Sequence, residues 1–428
     1  MSNFVVNKQG LNVQASQHIN LPQMKHESII VPSTSAPGWG SYFVIDFRER
    51  NCILHDLILQ FNVSALTGYT GTNTTSPRYT PAYFWFTRIE IVQNNNVIDT
   101  IYSNQQFLMN QLFLFDEQRT LLNLGCGSYS NTTQRATLAA SANSYYVDLW
   151  NYFQQSHIPI LSQKDDVQIR VYMDTLANNA VVGTATVSTG PTSVLNSCNL
   201  IAKVTRLHSA DVAHRIRSIS SRPEHYKFNE LRFGTFSVNS GVAQTSIVLT
   251  PLVGNCNFLI FTIRPTASLS GEGYYNYTAL SSYAILDGTS TNIVGGQNVP
   301  NTMALLYLGR DWSKSSYLSE NALNTTNNGA NVYIWSFSAD CAETAITGVD
   351  MNTYRFSGNE QLQINFVSSL ASGVTIDIYA HMASVVEVSS NAVKKLSLCY
   401  LSKCSFFAFK SAFFSIFLGE FSITQSRL

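Results

Sequence analysis

The chain has 428 residues, of which 45% are hydrophobic and only 12% charged, and its 26 basic side chains balance its 26 acidic ones. This hydrophobic content supports a large core, in about two domains, and excludes a disordered protein. The balanced charge excludes strong electrostatic attraction to nucleic acid or to anionic membranes. A surface with so few charges is poorly protected against association, so we expect partner chains to cover much of it.

The seven cysteines occur without any CxxC pair, at positions 52, 126, 198, 256, 341, 399 and 404. Their odd number and wide spacing argue against a disulfide framework and against a zinc ribbon. We therefore expect buried thiols, with no bound metal and no cofactor.

Residues 1 to 25 are polar and irregular, and they predict an N-terminal arm that is mobile unless a contact orders it. The first 23 residues contain no apolar core of signal-peptide length. We therefore expect no entry into the secretory pathway. The five Asn-x-Ser/Thr sites carry little weight, because Asn-rich and Thr-rich loops generate them by chance.

Short runs with a two-residue hydrophobic period occupy most of the remaining chain, and clusters of Gly, Asn, Ser and Thr separate them. Examples are ILHDLILQFNV (53 to 63), VQIRVYM (167 to 173), FLIFTIRP (258 to 265) and VTIDIYAHM (374 to 382). Long helices are nearly absent, and strands do not alternate regularly with helices. The sequence therefore predicts an all-β fold of antiparallel sandwiches or barrels.

A hairpin and a helix are predicted together in RIEIVQNNNVIDTIYSNQQFLMNQLF, at residues 88 to 113. The two strand-like runs are separated by three asparagines, which tolerate the positive φ of a hairpin turn. Ser103 and Gln106 have the spacing of a capping box, which predicts the start of a short amphipathic helix. The predicted apolar face of this helix consists of Leu108, Leu112 and Phe115.

The same order of elements recurs later in the chain. YAILDG begins at Tyr283, which is 195 residues after Arg88, and Met303, Leu306 and Tyr307 then supply a helical apolar face. VQIRVY at residue 167 and LQINFV at residue 362 are separated by the same 195 residues. Several elements in one order at one spacing predict a tandem duplication.

Residues 208 to 225 separate the two halves, and their arginines and Pro223 interrupt the β pattern. We interpret them as a short helical turn and linker. The three histidines of this segment, His208, His214 and His225, match no common zinc spacing, and the basic cluster is too small to indicate a nucleic-acid site.

Residues 391 to 428 form a Phe-rich tail of unknown role, interrupted by Lys403 and Lys410. Its longest uncharged run is shorter than the ~20 apolar residues of a membrane span. Three interpretations stay open: an interfacial helix, a segment ordered by a neighbouring chain, and a segment outside the fold.

Motifs of known chemistry are missing from the sequence, which has no GxSxG, HExxH, Walker phosphate loop, complete GxGxxG or EF-hand loop. We therefore assign no catalytic, cofactor-binding or metal-binding residue. A glycosidase-type carboxylate pair stays open on the sequence alone. Its candidates are Asp148, Asp165, Asp166, Asp174, Glu272 and Asp287.

Aromatic side chains cluster in PAYFWF (81 to 86), SYYVDLWNYF (144 to 153) and YYNYT (274 to 278). Such groups can stack on sugars. Aromatic residues at strand spacing are more often part of a core or of an interface between subunits, which is the interpretation we favour.

Several of these stretches resemble the double jelly-roll major capsid proteins of large eukaryotic DNA viruses, virophages and polinton-type elements. In the first half they are FTRIEIVQNNNVIDTIY and HIPILSQKDDVQIRVYM, and the segment from residue 199 to 233 resembles the family's crossing between barrels. In the second half they are FLIFTIRP, YAILDG, NVYIWSFSADC and QLQINFV. The crossing segment lacks the acidic and arginine-rich run of the largest viruses, which favours a smaller relative such as a virophage or polinton-type element.

This resemblance implies two tandem eight-stranded antiparallel jelly rolls with short helical insertions. The first would span residues 26 to 207 and the second residues 226 to 390, joined by the linker at residues 208 to 225. It also implies a non-enzymatic structural protein of an icosahedral virion, whose homotrimers contact neighbouring capsomers, penton proteins and minor capsid proteins. Sequence-specific nucleic-acid binding is not implied, and membrane contact is left open.

Two alternatives remain at this stage. One is a carbohydrate-active or glycoamidase-type enzyme, which can also be built from two jelly rolls, and the other is a glycan-binding module. An enzyme predicts a monomer with close carboxyl groups in a cleft, whereas a capsomer predicts a trimer without such a cleft.

Overall fold

The computed structural model describes residues 4–6, 12–14, 25–67, 78–79, 82–127, 137–161, 166–181, 192–266, 277–293, 299–300, 331–338, 341–347, 353–389 and 393–396. The strands of the first half are β1 (Phe4–Val6), β2 (Asn12–Gln14), β3 (Lys25–Pro32), β4 (Tyr42–Phe47), β5 (Cys52–Val63), β6 (Arg78–Tyr79), β7 (Phe86–Gln93), β8 (Asn96–Tyr102), β9 (Asn143–Leu149), β10 (Pro159–Ile160), β11 (Val167–Met173), β12 (Ala180–Val181) and β13 (Leu195–Arg206). Those of the second half are β14 (Glu224–Val238), β15 (Gln244–Val248), β16 (Val253–Pro265), β17 (Leu280–Leu286), β18 (Val299–Pro300), β19 (Val332–Ser336), β20 (Tyr354–Ser357), β21 (Gln361–Phe366), β22 (Val374–Val388) and β23 (Val393–Leu396). The helices are α1 (Ser103–Phe113), α2 (Asp116–Gly125), α3 (Tyr152–Ser156), α4 (Leu176–Asn179), α5 (Ser209–Ser221) and α6 (Cys341–Thr347), with a 3-10 turn at Ala82–Phe84.

Each half contains the same pair of antiparallel sheets. In the first half the sheet orders are β3-β13-β5-β9 and β4-β11-β7-β8, and in the second they are β14-β22-β16-β19 and β15-β21-β17-β18. When the strands of each half are numbered from its first strand, the eight strands of the first half and the eight of the second have the same positions in their sheets. Two short strands, β10 and β20, add to β5 and β16 in the same way. The predicted fold of two tandem eight-stranded jelly rolls is therefore confirmed.

The duplication predicted from the 195-residue spacing is visible in the sheets. Residues 88 and 283 lie in β7 and β17, and residues 167 and 362 lie in β11 and β21. These strand pairs occupy equivalent positions in their sheets. The predicted helix around Met303 to Tyr307 lies outside the described residues.

The two-residue period of the sequence places apolar side chains between the sheets. Along β5, Leu57, Leu59 and Phe61 are fully buried, and the residues between them are partly accessible. The second jelly roll has a core of its own, which includes Leu259, Phe261 and the inward side of β22. A second continuous cluster contains the core of the first jelly roll together with residues of the second. The two halves therefore pack against one another.

The hairpin predicted at residues 88 to 102 is present. Asn94 and Asn95 take φ values of 51° and 61°, the left-handed conformation that asparagine tolerates better than most residues. The capping box predicted for Ser103 and Gln106 is wrong. Tyr102 occupies the N-cap and makes no side-chain cap, and the Gln106 amide instead donates to Asp148 O (2.7 Å) and accepts from Trp150 N (2.9 Å).

The amphipathic character predicted for this helix is also wrong. Every residue of α1 from Asn104 to Phe113 is buried, so its polar side has no solvent-facing surface. Leu108 and Leu112 are buried as predicted, whereas Phe115 lies beyond the helix and is exposed. A capping box does occur at α3, where the Asn151 side chain accepts from Phe153 N and Gln154 reaches back.

The segments between and beyond the jelly rolls contain regular structure. The region predicted as a linker holds the 13-residue helix α5, and β14 begins at Glu224. The second jelly roll extends past residue 390, because β23 pairs with β22 through Leu396. In the predicted arm, β1 and β2 form a short antiparallel pair. The rest of the Phe-rich tail lies outside the described residues.

Candidate functional site

The junction between the two jelly rolls is built from aromatic rings. It brings α1, α3 and the end of β8, all from the first half, against the outer face of the β14-β22-β16-β19 sheet. Among the described residues, three ring pairs cross it, at centroid distances of 4.7, 5.7 and 5.6 Å: Tyr102–Phe233, Phe113–Phe258 and Tyr152–Phe228. Edge-to-face and tilted ring pairs add about 0.5–1.5 kcal/mol each beyond the burial of their area.

Amide side chains connect the halves between these rings. Asn104 Nδ2 in α1 donates to Tyr379 OH at 3.0 Å, and Gln155 Nε2 donates to Ala345 O at 3.0 Å. Gln155 Oε1 accepts from Asn229 N at 2.8 Å. Asn104 of α1 is therefore buried because it faces the second jelly roll. Gln106 and Asn110 of the same helix are buried against Asp148, Trp150 and Tyr83 of the first jelly roll.

The short strand β23 makes a further connection to the first half. Lys395 Nζ donates to Ile98 O at 3.4 Å and pairs with the Glu230 carboxylate at 3.2 Å. Asn96 Nδ2 donates to Val393 O at 3.3 Å. Residues 393 to 396 therefore belong to the junction.

A small cavity of about 20 Å³ lies in the junction, which is room for roughly one water molecule. Asp99, Gln105 and His381 are among its lining residues. Burial raises the pKa of Asp99 to about 7, although its Oδ2 accepts from Tyr152 N at 3.0 Å. Burial lowers the pKa of His381 to about 3, so this imidazole is neutral at physiological pH.

The carboxyl groups considered for a glycosidase pair are held by separate structural contacts. Asp166 pairs with Arg50, Asp174 Oδ1 accepts from Thr175 N at 2.7 Å, and Asp287 Oδ1 accepts from Thr291 N at 2.7 Å in a turn. Burial, with a smaller contribution from Asp56, raises the pKa of Asp148 to about 6. Asp165 and Glu272 lie outside the described residues.

The histidines and cysteines singled out in the sequence also have structural roles. His208 caps α5 by accepting from Ala210 N at 3.3 Å, and His225 lies 3.4 Å from Glu387. The cysteines at 52, 126, 198, 256 and 341 are buried, and burial raises the pKa of Cys52 to about 11. Within the described ranges, no three His, Cys, Asp or Glu side chains are grouped in a way that could hold a metal ion.

The aromatic stretches lie mostly in the core. Tyr83, Trp85 and Phe86 of the first stretch are buried, as are Tyr152 and Phe153 of the second. They are therefore not exposed platforms for sugars. Residues 274 to 276 of the third stretch lie outside the described residues. Among the helices that the structure describes, none has the length and apolarity needed to cross a bilayer.

The outer faces of the two equivalent sheets differ in accessibility. In the second jelly roll, the outward side chains of β16 are buried: Phe258, Ile260, Thr262 and Arg264. Phe258 packs against Phe113 of the first jelly roll. In the first jelly roll, the outward side chains of the equivalent strand β5 are only partly buried: Ile53, His55, Ile58, Gln60 and Asn62. One copy of the chain thus covers one of its two equivalent faces and leaves the other accessible.

Sequence comparisons give no match, either to a protein-family model or to a curated protein. Solved structures do match. The capsid protein Vp54 of the virus PBCV-1, fitted into a reconstruction of the Sputnik virophage, has a TM-score of 0.64 at 14% identity, over 89% of this chain and 98% of its own. The Faustovirus major capsid protein has a TM-score of 0.63 at 9% identity, over 87% of this chain and 92% of its own.

A chain of the Sputnik virophage structure has a TM-score of 0.58 at 9% identity, over 93% of this chain and 95% of its own. Structural similarity at identities this low establishes the fold, whereas the function has to be inferred from the residues of the chain itself. The tandem sheets, the repeated strand order and these matches together identify the chain as a double jelly-roll protein.

Proposed function

We propose that this chain is the major capsid protein of an icosahedral DNA virus or virus-like element, and that three copies form each capsomer. The observation that carries this proposal is the docking of two equivalent jelly rolls into one body by a buried junction. The structures it resembles include a protein named as a major capsid protein, which the likeness covers over 92% of its length.

The geometry favours a ring of six jelly rolls. Inside one chain, the helical side of the first jelly roll covers the outer sheet face of the second. The same heterologous contact repeated between chains generates either a closed ring or an open filament. Three chains supply six similar units, and a ring of six has the nearly hexagonal outline that tiles a shell.

The composition supports an assembly role in the virion. Only 12% of the residues are charged, which suits large contacts that are neutral and reversible during assembly. We infer that the protein resides in the capsid shell, that it contacts neighbouring capsomers, penton proteins and minor capsid proteins, and that it is not an enzyme. The separate structural partners of the described carboxylates favour this inference over a glycosidase.

The proposal is tested by size-exclusion chromatography with light scattering on the full chain, followed by negative-stain imaging. We expect a species with three times the 47.5 kDa chain mass, and particles with a hexagonal outline. A protein that remains monomeric at micromolar concentration and never forms hexagonal particles would refute it. A matched variant, Phe258→Ala, weakens the junction within the chain and should reduce the yield of regular particles.

A further inference from the structure

The accessible outer face of the first jelly roll is organised as a contact surface. A cross-strand row of isoleucines runs over it, because Ile30 in β3 pairs with Ile201 in β13, and Ile201 pairs with Ile58 in β5. Ile30 is 63% exposed, and Ile201 and Ile58 are partly accessible, so the row forms one contiguous apolar strip. We call the outward side of β3, β13, β5 and β9 the open face.

Amide and hydroxyl groups beside the isoleucine row are held in place by hydrogen bonds. Asn199 Nδ2 donates to Gln60 Oε1 at 2.9 Å, and Gln60 Nε2 donates to Tyr146 OH at 3.0 Å. Asn62 Nδ2 donates to Ser197 Oγ at 2.7 Å. Side chains already fixed in one geometry lose little conformational entropy when a partner covers them, which favours binding.

Three histidines lie in a chain at one end of the open face. His26 Nδ1 is 2.8 Å from Thr205 Oγ1, which is 2.7 Å from His55 Nε2. His55 Nδ1 is 3.3 Å from His157 Nδ1, with a ring-centroid distance of 5.2 Å. The hydrogen bond between His55 and His157 needs at least one neutral ring, because an imidazolium has two donors and no acceptor.

We propose that the open face binds the second jelly roll of another copy of this chain, and that protonation of the histidine chain releases that copy in acid. This inference rests on the proposed function and names the surface and the regulation of its trimer contact. The occupant follows from the internal repeat. The equivalent face of the second jelly roll is covered by the first, whereas the described residues of one chain cover the open face only at one end, where His157 lies against His55.

Protonation opposes this contact for two physical reasons. Charged rings at His55 and His157 would repel one another at their present separation. A partner that covers the rings also removes water from them, and loss of water disfavours the charged form. Burial already lowers the pKa of His55, and the neighbouring His157 lowers it further. Stability from a histidine with a lowered pKa is present above about pH 6.5 and is lost as the pH falls below it.

The other charged groups near the histidines partly balance one another. Lys203 pairs with Asp56 at 3.3 Å, and Arg206 pairs with Glu49 at 2.7 Å. The charged side chains come from four strands and the loop before β5: Lys25 and Glu27 on β3, Glu49 and Arg50 in the loop, Asp56 on β5, Asp148 on β9, and Lys203 and Arg206 on β13. Arg50 is paired with Asp166. The other three basic groups nearly balance the four acidic groups, so three new positive charges reverse the sign of the local charge.

The surface assignment is tested with Ile30→Lys, which changes an exposed side chain on an edge strand and should leave the fold intact by circular dichroism. Mass photometry at pH 7.5 should show a trimer for the unchanged chain and mainly monomer for Ile30→Lys. The matched control Val367→Lys changes an equally exposed apolar residue outside this face and should remain trimeric. An unchanged chain that is monomeric overturns the proposed function itself. If Ile30→Lys forms a trimer as tight as that of the unchanged chain, the proposed function stands, but the open face is not the contact surface.

The acid release is tested by repeating the measurement at pH 5.0. A dissociation that takes up one proton becomes up to tenfold more favourable for each pH unit below the ordinary histidine pKa of about 6.5. We expect weakening of about a hundredfold or more for the unchanged chain. The triple variant His26→Gln, His55→Gln, His157→Asn should weaken less than about tenfold. Asn is chosen at residue 157 because His157 has a φ of 51°, a left-handed conformation that asparagine tolerates.

His214→Gln, on the exposed side of α5, is the matched control and should dissociate in acid like the unchanged chain. Should the triple variant not fold, His157→Asn alone changes one exposed ring and should shift the midpoint of dissociation to lower pH. Dissociation of a folded histidine variant at the same pH as the unchanged chain overturns the acid release while leaving the open face in place.

Discussion

Replacing Asp99 by Asn should make the protein less sensitive to alkaline conditions. Burial raises the pKa of Asp99 from its ordinary 3.8 to about 7. A carboxyl whose folded pKa is raised contributes stability that is present below pH 3.8 and is lost as the pH rises through 7. Three pKa units at 1.36 kcal/mol each correspond to an upper limit of about 4 kcal/mol.

The local contacts allow the replacement. Asn keeps an oxygen that can accept from Tyr152 N, which is 3.0 Å from Asp99 Oδ2. Its new amide group needs an acceptor, and Gln105 Oε1, from a residue lining the same cavity, has no hydrogen-bond partner among the described residues. Asp99→Asn should therefore have a free energy of unfolding close to that of the unchanged chain at pH 4.

The measurement is urea unfolding of both proteins between pH 4 and pH 8, at one fixed protein concentration. Groups common to both proteins, including the histidines of the open face, cancel in the difference. We expect this difference to grow in favour of Asp99→Asn as the pH rises, and Glu117→Gln, at an exposed position, to show no such trend. A difference that stays constant over this range would refute the assignment of a buried neutral carboxyl at the junction.

Three further changes test other parts of the fold and the proposed assembly. Phe258→Ala removes a fully buried ring that stacks on His381 at a centroid distance of 4.2 Å. Thermal unfolding should show that the free energy of unfolding falls by about 3–5 kcal/mol, and a fall below about 1 kcal/mol would contradict the packed junction. Asn95→Ala should lower the free energy of unfolding by about 1 kcal/mol, because alanine disfavours a φ of 61°. Asn95→Gly should lower it less, and equal losses for the two variants would contradict the left-handed turn. Deleting residues 1 to 24 removes the predicted arm but leaves β3 intact, so trimers should persist in light scattering while sheet-like or shell-like arrays decrease, and loss of the trimer would contradict this role for the arm.

The strands could be predicted from the sequence because their period matches the chemistry of a sandwich. In β5 and β11, one side chain in two is apolar and faces the core. The equivalent strand positions 195 residues apart could also be predicted, because duplicated strands keep their hydrophobic sides. The carboxylate pair had to remain open, because contacts between distant residues are not encoded in local spacing.

The junction could not be predicted, since buried and exposed polar residues look alike in a sequence. Asn104, Gln106 and Asn110 have the pattern of a solvent-facing helix side, yet all three are buried. Their partners lie far away in the chain, as with Asn104 and Tyr379. In β22 nearly every residue is buried, because one side faces its own core and the other faces the first jelly roll. A strand that is buried on both sides but has polar outward residues has the same sequence pattern as a sandwich strand with one side exposed to solvent.

The two equivalent outer faces differ in a way that fits one permanent contact and one reversible contact. The covered face includes the buried ion pair between Arg264 and Asp377. Removing such a pair from water costs several kcal/mol per ion, and its attraction only partly offsets that cost. Within a single chain the two halves are always close, so the junction tolerates this cost. Copies that associate from solution have no such advantage and must also offset their lost translational freedom. A row of isoleucines, prearranged amides and a chain of histidines, with ion pairs such as Lys203–Asp56 left partly exposed, is the chemistry expected of a face whose contact must both form and release.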